Sequence, residues 1–221
     1  MYYNNFMFAE KEYRAILRET EGRAVLCAVT KRHTVEEIRN AYDLGQRIFA
    51  ENKAQELCRK APELPDDIEW HFIGHLQRNK VRQILPYVSC IQSLDSLRLA
   101  ETIEQEAARL NRVVSCLLEF HLASDDLNKT GLAESDAFEM MKACAALPHI
   151  RIDGIMAMGP HTEDEAEIRS VFEEGRRLFD SLKSQYPSIH ILSMGMSDDY
   201  PLALDAGANM IRIGSKLFQE D

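Results

Sequence analysis

The chain has no long apolar run: nothing in it approaches the roughly 20 consecutive apolar residues that a bilayer-spanning helix needs. It is short of basic charge, with 26 Lys and Arg against 36 Asp and Glu and a formal net charge of −10. Binding to a nucleic-acid backbone is driven by clustered Lys and Arg, so this balance argues against it. Its five cysteines (Cys27, Cys58, Cys90, Cys116 and Cys144) are odd in number, widely spaced and without a C-x-x-C pattern, which fits buried free thiols in a reducing cytosol. The opening residues Met1-Tyr2-Tyr3-Asn4-Asn5 lack the basic-then-apolar layout of a secretory signal, and a cytoplasmic protein is expected. No Pro/Gly/Ser-rich stretch or charge run marks a linker, so residues 1–221 are read as one domain.

What is present begins with Ala24-Val25-Leu26-Cys27-Ala28-Val29-Thr30, seven residues without a charge, ended by Lys31 and then Arg32-His33-Thr34. A short apolar run with polar ends predicts a strand buried on both faces, carrying one amine at the edge of a core. An amphipathic helix is expected before it, over residues 8–20. After it, Thr34-Val35-Glu36-Glu37 has the form of a capping box and opens a helix that stops at Gly45. The same alternation continues. Strands are predicted at 47–52, 69–74, 88–94, 113–122, 150–158, 191–196 and 210–214, and helices at 53–60, 77–85, 97–110, 134–147, 163–185 and 198–205.

Eight strand-then-helix units without a hairpin dipeptide between strands require parallel strands and helical crossovers. In about 200 residues that is the size of a single (β/α)8 TIM barrel, here with an extra N-terminal helix. A doubly wound sheet is the alternative. Its Gly-rich first turn is missing, because the first turn reads Thr30-Lys31-Arg32-His33.

Barrels collect function at the carboxyl ends of their strands. Those ends offer Lys31, Asn52, Gly74-His75, His121, Met158-Gly159, Met196-Ser197-Asp198 and Arg212-Ile213-Gly214-Ser215. The last two follow strands seven and eight, where loop N–H groups commonly hold phosphate. Ser197 can cap the following helix and offer its hydroxyl, Gly214 permits close backbone approach, and Ser215 adds a donor. An amine beside a phosphate cradle suggests pyridoxal 5'-phosphate (PLP) held as a Schiff base.

The residues Ala28-Val29-Thr30-Lys31, Glu51-Asn52, Trp70-His71-Phe72-Ile73-Gly74-His75-Leu76-Gln77, Met194-Gly195-Met196-Ser197 and Arg212-Ile213-Gly214-Ser215 resemble, in order and over nearly the whole chain, the YggS/PROSC family. These are PLP-binding proteins similar to the N-terminal barrel of alanine racemase. The resemblance implies that Lys31 forms the Schiff base and Arg212 faces the pyridine nitrogen. It further implies that Ser197, Gly214 and Ser215 hold the phosphate and that Asn52 lies beside the ring. It implies a role in vitamin B6 and amino-acid homeostasis without a robust reaction, with PLP-dependent apo-enzymes as candidate recipients; lacking a racemase-like second domain, the chain is expected to be a monomer.

The sequence departs from the family at Asp198, where glycine is usual, and at Lys216 and Gln219 beyond the phosphate loop. Asp198 is expected to turn outward, since an inward carboxylate would repel a phosphate. A weak PLP-dependent racemase with Lys31 as base and a barrel enzyme for a sugar phosphate are the competing readings. An arginine at the pyridine nitrogen favours the first, non-catalytic one, because it donates a hydrogen bond without giving up a proton.

Other groups read as structural. His71 and His75 straddle a strand and a loop rather than one helix face, His121 suits a core position, and Met156, Met158, Met194 and Met196 suit interior packing. Asp125-Asp126 and Asp198-Asp199 read as solvated loop carboxylates. Lys129-Thr130-Gly131 resembles the family's Lys-Ser-Gly.

Overall fold

The predicted strand at the head of the chain forms as β2 (Val25–Val29), preceded by β1 (Phe6–Phe8) and α1 (Glu10–Thr20). The computed structural model describes residues 6–122 and 131–220. Elements then alternate: α2 (Val35–Asp43), β3 (Ile48–Glu51), α3 (Ala54–Lys60), β4 (Glu69–Phe72), α4 (Val81–Ile84), β5 (Val88–Leu94), α5 (Leu97–Arg109) and β6 (Val114–Phe120). They continue with α6 (Ala137–Cys144), β7 (Ile150–Ala157), α7 (Glu165–Gln185), β8 (Ile191–Ser193), α8 (Tyr200–Asp205), β9 (Met210–Ile213) and β10 (Phe218–Glu220). Strands β2 to β9 close into one barrel in sequence order, every pairing parallel. This is the (β/α)8 barrel that the alternation predicts.

Because side chains alternate along a strand, each stave has one face toward the helices and one toward the barrel axis. Leu26, Ala28, Phe49, Trp70, Phe72, Cys116, Leu118, Phe120, Ile211 and Ile213 belong to the large cluster under the helices. The residues between them form separate, smaller interior clusters: Cys27, Val29, Ala50 and Met210 in one, Cys90, Leu117 and Met156 in another. Interior positions of β5, β8 and β9 are also filled by the buried polar residues Gln92, Ser193 and Arg212.

The capping box forms as written in the sequence. Glu37 N donates to Thr34 Oγ1 (3.2 Å), and Thr34 N donates to the Glu37 carboxylate (2.5 Å). Other helix starts shift. The segment from Gln77 enters through a 3-10 turn at Arg78–Lys80 before α4, and α6 is preceded by another at Glu134–Asp136. Ser96 occupies the N-cap of α5 without bonding its backbone, its hydroxyl donating to Asp95 instead (3.0 Å).

Two strands, β1 and β10, are absent from the sequence reading. Residues 6–8, assigned in part to the first helix, form β1, which pairs antiparallel with β10. The Phe8 ring lies 5.2 Å from Tyr13 and 5.3 Å from Phe218, and the His33 ring stacks on Phe218 at 4.2 Å. This two-strand clasp joins the two ends of the described chain beside the start of α2. Among the described residues, no helix is long and apolar enough to cross a membrane.

Candidate functional site

The loops after β8 and β9 are tied together by backbone. Arg212 N donates to Gly195 O (3.0 Å), and Gly214 N donates to Ser197 Oγ (3.4 Å). Gly195 holds a φ of +89°, and a Cβ there would lie 2.7 Å from Ala203 Cβ and 2.9 Å from Tyr200 Cα. Only glycine lets the chain turn this closely over α8. Ser197 is buried, but it is not the cap of α8 that the sequence suggests. That position belongs to Asp199, whose carboxylate accepts from Met196 N (2.6 Å) and so fixes the loop that carries Ser197. Asp198 is exposed. Ser215 is exposed in the following turn, closed by Leu217 N and Phe218 N on Gly214 O.

The other expected residues stand around the same barrel mouth. Cys27 is in register with Arg212 and Ala28 with Ile213, which sets Gly214 beside Val29; a Cβ on Gly214 would meet Val29 Cβ at 3.4 Å. Lys31 follows two residues later, exposed at the first position of the turn. Asn52 directly follows β3, half-buried, and its Oδ1 is a buried acceptor without a hydrogen bond among the described residues. Gly74 is pressed against the Asn52 carbonyl so closely that any Cβ would collide, which anchors Asn52 from the next stave.

Arg212 sits inside the barrel, 3% exposed. Its Nη1 donates to Ser193 Oγ (2.7 Å) and its Nη2 to Ala157 O (3.0 Å). Burial draws the guanidinium down from its ordinary value, while Cys27, Asp199 and Glu119 act in the opposite direction. It remains a cation with five N–H groups, so donors are left over after these two bonds. The Ser193 hydroxyl passes its own proton to Gln92 Oε1 (2.7 Å), which fixes the Gln92 amide. Gln92 Nε2 therefore donates to His71 Nδ1 (2.8 Å), and the His71 proton is on Nε2. Every bond in the series Arg212–Ser193–Gln92–His71 runs in one direction across the barrel interior.

This series has a measurable consequence. Burial drives His71 down to about 4 from the 6.5 of an exposed imidazole. The unfolded chain then binds a proton that the native chain refuses between those values, so stability falls as pH is lowered from 6.5 to 4. At 1.36 kcal/mol per pH unit the loss from this one group is about 3 kcal/mol. Urea unfolding at pH 7 and pH 4.5 should show a fall for the native protein that shrinks in His71→Gln; an undiminished fall would place the titration elsewhere.

Other sequence candidates do not join the site. His75 is mostly exposed, with Nδ1 3.3 Å from Asp95 Oδ2, and no metal-binding group of His, Cys, Asp and Glu is present among the described residues. His121 is half-buried beyond the end of β6 rather than in a core strand. Met156 packs inside the barrel as expected, whereas Met194 belongs to the outer cluster against Gly175 of α7, and Met196 is exposed. Asp125, Asp126, Lys129 and Thr130 lie outside the described residues.

Gln92, Ser193 and the buried Glu119 went unread in the sequence. Their signal was a polar residue at a position whose parity faces the barrel axis.

The alanine racemase N-terminal domain model matches residues 9–220. A pyridoxal phosphate homeostasis protein of Helicobacter pylori is 39% identical over 198 residues, covering 88% of this chain and 87% of that protein. The structure of PipY from Synechococcus elongatus without PLP superposes with a TM-score of 0.89 at 36% identity, covering 95% of this chain and 99% of that one. The same protein with PLP bound gives 0.88 at 34% identity, with the same coverage. With its barrel matched along nearly the whole length, this chain belongs to the pyridoxal phosphate homeostasis proteins, a family built on the alanine racemase N-terminal domain.

Proposed function

We propose that this protein holds PLP covalently, as a Schiff base on Lys31, and serves PLP homeostasis by binding and releasing it rather than by turning over a substrate. The observation that carries this reading is the juxtaposition at the barrel mouth. The Ser197–Gly214 contact lies against Val29, the last residue of β2 and two residues before Lys31. Lys31 follows at the carboxyl end of that strand, exposed in the turn at the same mouth of the barrel. The names of the relatives and the PLP-bound PipY structure support PLP as the ligand.

The residues present fit the cofactor. Gly214 N and Ser197 Oγ share only a long bond of 3.4 Å, leaving both able to turn to a phosphate oxygen, with Ser215 in the adjoining turn. Asn52 Oδ1 supplies a buried acceptor awaiting a donor, and Arg212 has N–H groups to spare for a pyridine nitrogen. Bound PLP supplies an aldehyde that an amine captures reversibly and a ring that withdraws electrons when its nitrogen is protonated. Arg212 would donate a hydrogen bond there but give up no proton, which would leave the ring a poor electron sink and disfavour carbanion chemistry.

The test is reductive trapping. After incubation with PLP and borohydride, the intact mass should rise by one phosphopyridoxyl group, peptide mapping should place it on Lys31, and Lys31→Ala should lack it. An adduct on another lysine in both proteins would overturn the assignment. Substantial turnover of L-amino acids would overturn the carrier reading and favour a racemase.

A further inference from the structure

Outside the barrel wall, directly behind Lys31, lies a buried charged cluster that the site as described does not use. Lys60 of α3 is fully buried and donates to Glu51 Oε1 (2.5 Å), to Thr30 O (2.8 Å) and to Glu56 Oε2 (2.9 Å). Thr30 Oγ1 donates to the same Glu51 oxygen (2.7 Å) and also reaches Ala50 O (3.1 Å). Glu56 Oε2 accepts a second bond, from Arg32 N (3.0 Å). The cluster thus holds the carbonyl of the residue before Lys31 and the N–H of the residue after it. Arg32 itself has a φ of +69°, a left-handed conformation that costs a non-glycine residue energy and persists only where its surroundings enforce it.

Burying Lys60 and Glu51, with Glu56 half-buried beside them, is expensive, and an apolar filling would serve packing as well or better. What apolar residues cannot do is grip two particular peptide groups. A lysine side chain has four rotatable bonds, so the direction in which it leaves the backbone decides how often its amine meets a partner held in place by other loops. Burial works against the Glu56 carboxylate, yet the bonds from Lys60 and Arg32 N outweigh it and hold Glu56 below its ordinary range, as a charged acceptor.

We propose that Glu56 and Lys60 are positioning residues that set the direction of Lys31 from behind, by clamping the Thr30 carbonyl and the Arg32 N–H. This rests on the reading of Lys31 as the covalent attachment point.

The test separates covalent capture from phosphate-loop affinity. Capture is the rate of the borohydride-trapped adduct at Lys31 with PLP. Affinity is measured with pyridoxine 5'-phosphate, which has the ring and phosphate but no aldehyde. Glu56→Ala should slow capture about tenfold or more, since a misplacement of about 1 Å can cost up to about 100-fold, while affinity for pyridoxine 5'-phosphate stays within about twofold. Glu56→Gln, whose amide oxygen can accept both bonds, should recover most of the rate. Thr30→Val removes only a hydroxyl from the same clamp and should also slow capture. Ile103→Val, a remote core change in α5, controls for general loosening and should leave the rate unaltered.

If wild type carries the adduct on Lys31 and Glu56→Ala acquires it equally fast, the positioning role is wrong and the covalent reading stands. The role is equally wrong if capture and pyridoxine 5'-phosphate affinity fall together, or if Ile103→Val slows capture as much. If wild type takes no adduct at Lys31, the covalent reading fails and takes this inference with it.

Discussion

Glu51→Ala is expected to lower folding stability by roughly 3–5 kcal/mol, the range for removing one partner of a buried charge pair. Glu51 and Lys60 are both inaccessible to solvent, and their contact is 2.5 Å. Burial pushes the Glu51 carboxyl up against the pull of Lys60 and Thr30, so the folded chain already supports this group at a cost. Alanine would leave the Lys60 ammonium with Glu56 and the Thr30 carbonyl, short of one close counter-charge, and would leave the Thr30 hydroxyl with Ala50 O as its acceptor. The paired change Glu51→Leu with Lys60→Met removes both charges, fills similar volume and should cost clearly less than Glu51→Ala alone. Urea titration of the three proteins at pH 7 decides it. A Glu51→Ala protein within about 1 kcal/mol of wild type would mean that Lys60 does not depend on this partner.

This cluster also marks the limit of what the sequence disclosed. The staves and their helices were legible because each segment states its own period: an uncharged run through residues 24–30, and apolar spacing with capping signals in α2. Strict alternation then leaves only one closed solution for eight parallel strands, and topology alone sends Lys31, Asn52, Ser197 and Arg212 to one end. The clasp of β1 and β10 was not legible, because its two strands lie at opposite ends of the chain and meet only once the barrel has closed. The assignment of Ser197 as a helix cap failed by two residues, since Asp199 competes for the same loop and its carboxylate reaches Met196 N. Lys60 was not singled out in the sequence, where it only ends the helix expected at 53–60. The clue was its spacing, which places it on the face of α3 that Ala54 and Leu57 bury. A lysine on that face must find acceptors, and the ends of β2 and β3 supply them.

Gly195→Val should damage both the fold and the site. At φ +89° a β-branched residue is strained, by about 1–3 kcal/mol, and overpacking adds about 1–3 kcal/mol more. A destabilisation of about 4 kcal/mol is therefore expected, the sum of those two central values. The clash is with Ala203 and Tyr200 at the start of α8, so relief requires the loop and helix to separate. That movement would drag the Gly195 carbonyl from Arg212 N, its 3.0 Å partner, and displace Ser197 from Gly214 N. Loss of alignment between the two loops should weaken pyridoxine 5'-phosphate binding by tenfold or more, about 1.4 kcal/mol, even in the fraction that remains folded. Isothermal titration at a temperature where the variant is still native reads this directly. A variant that is destabilised yet binds as wild type does would show that the anion is held elsewhere on the barrel. The phosphate cradle assigned to Ser197, Gly214 and Ser215 would then be wrong, whatever the fate of Lys31.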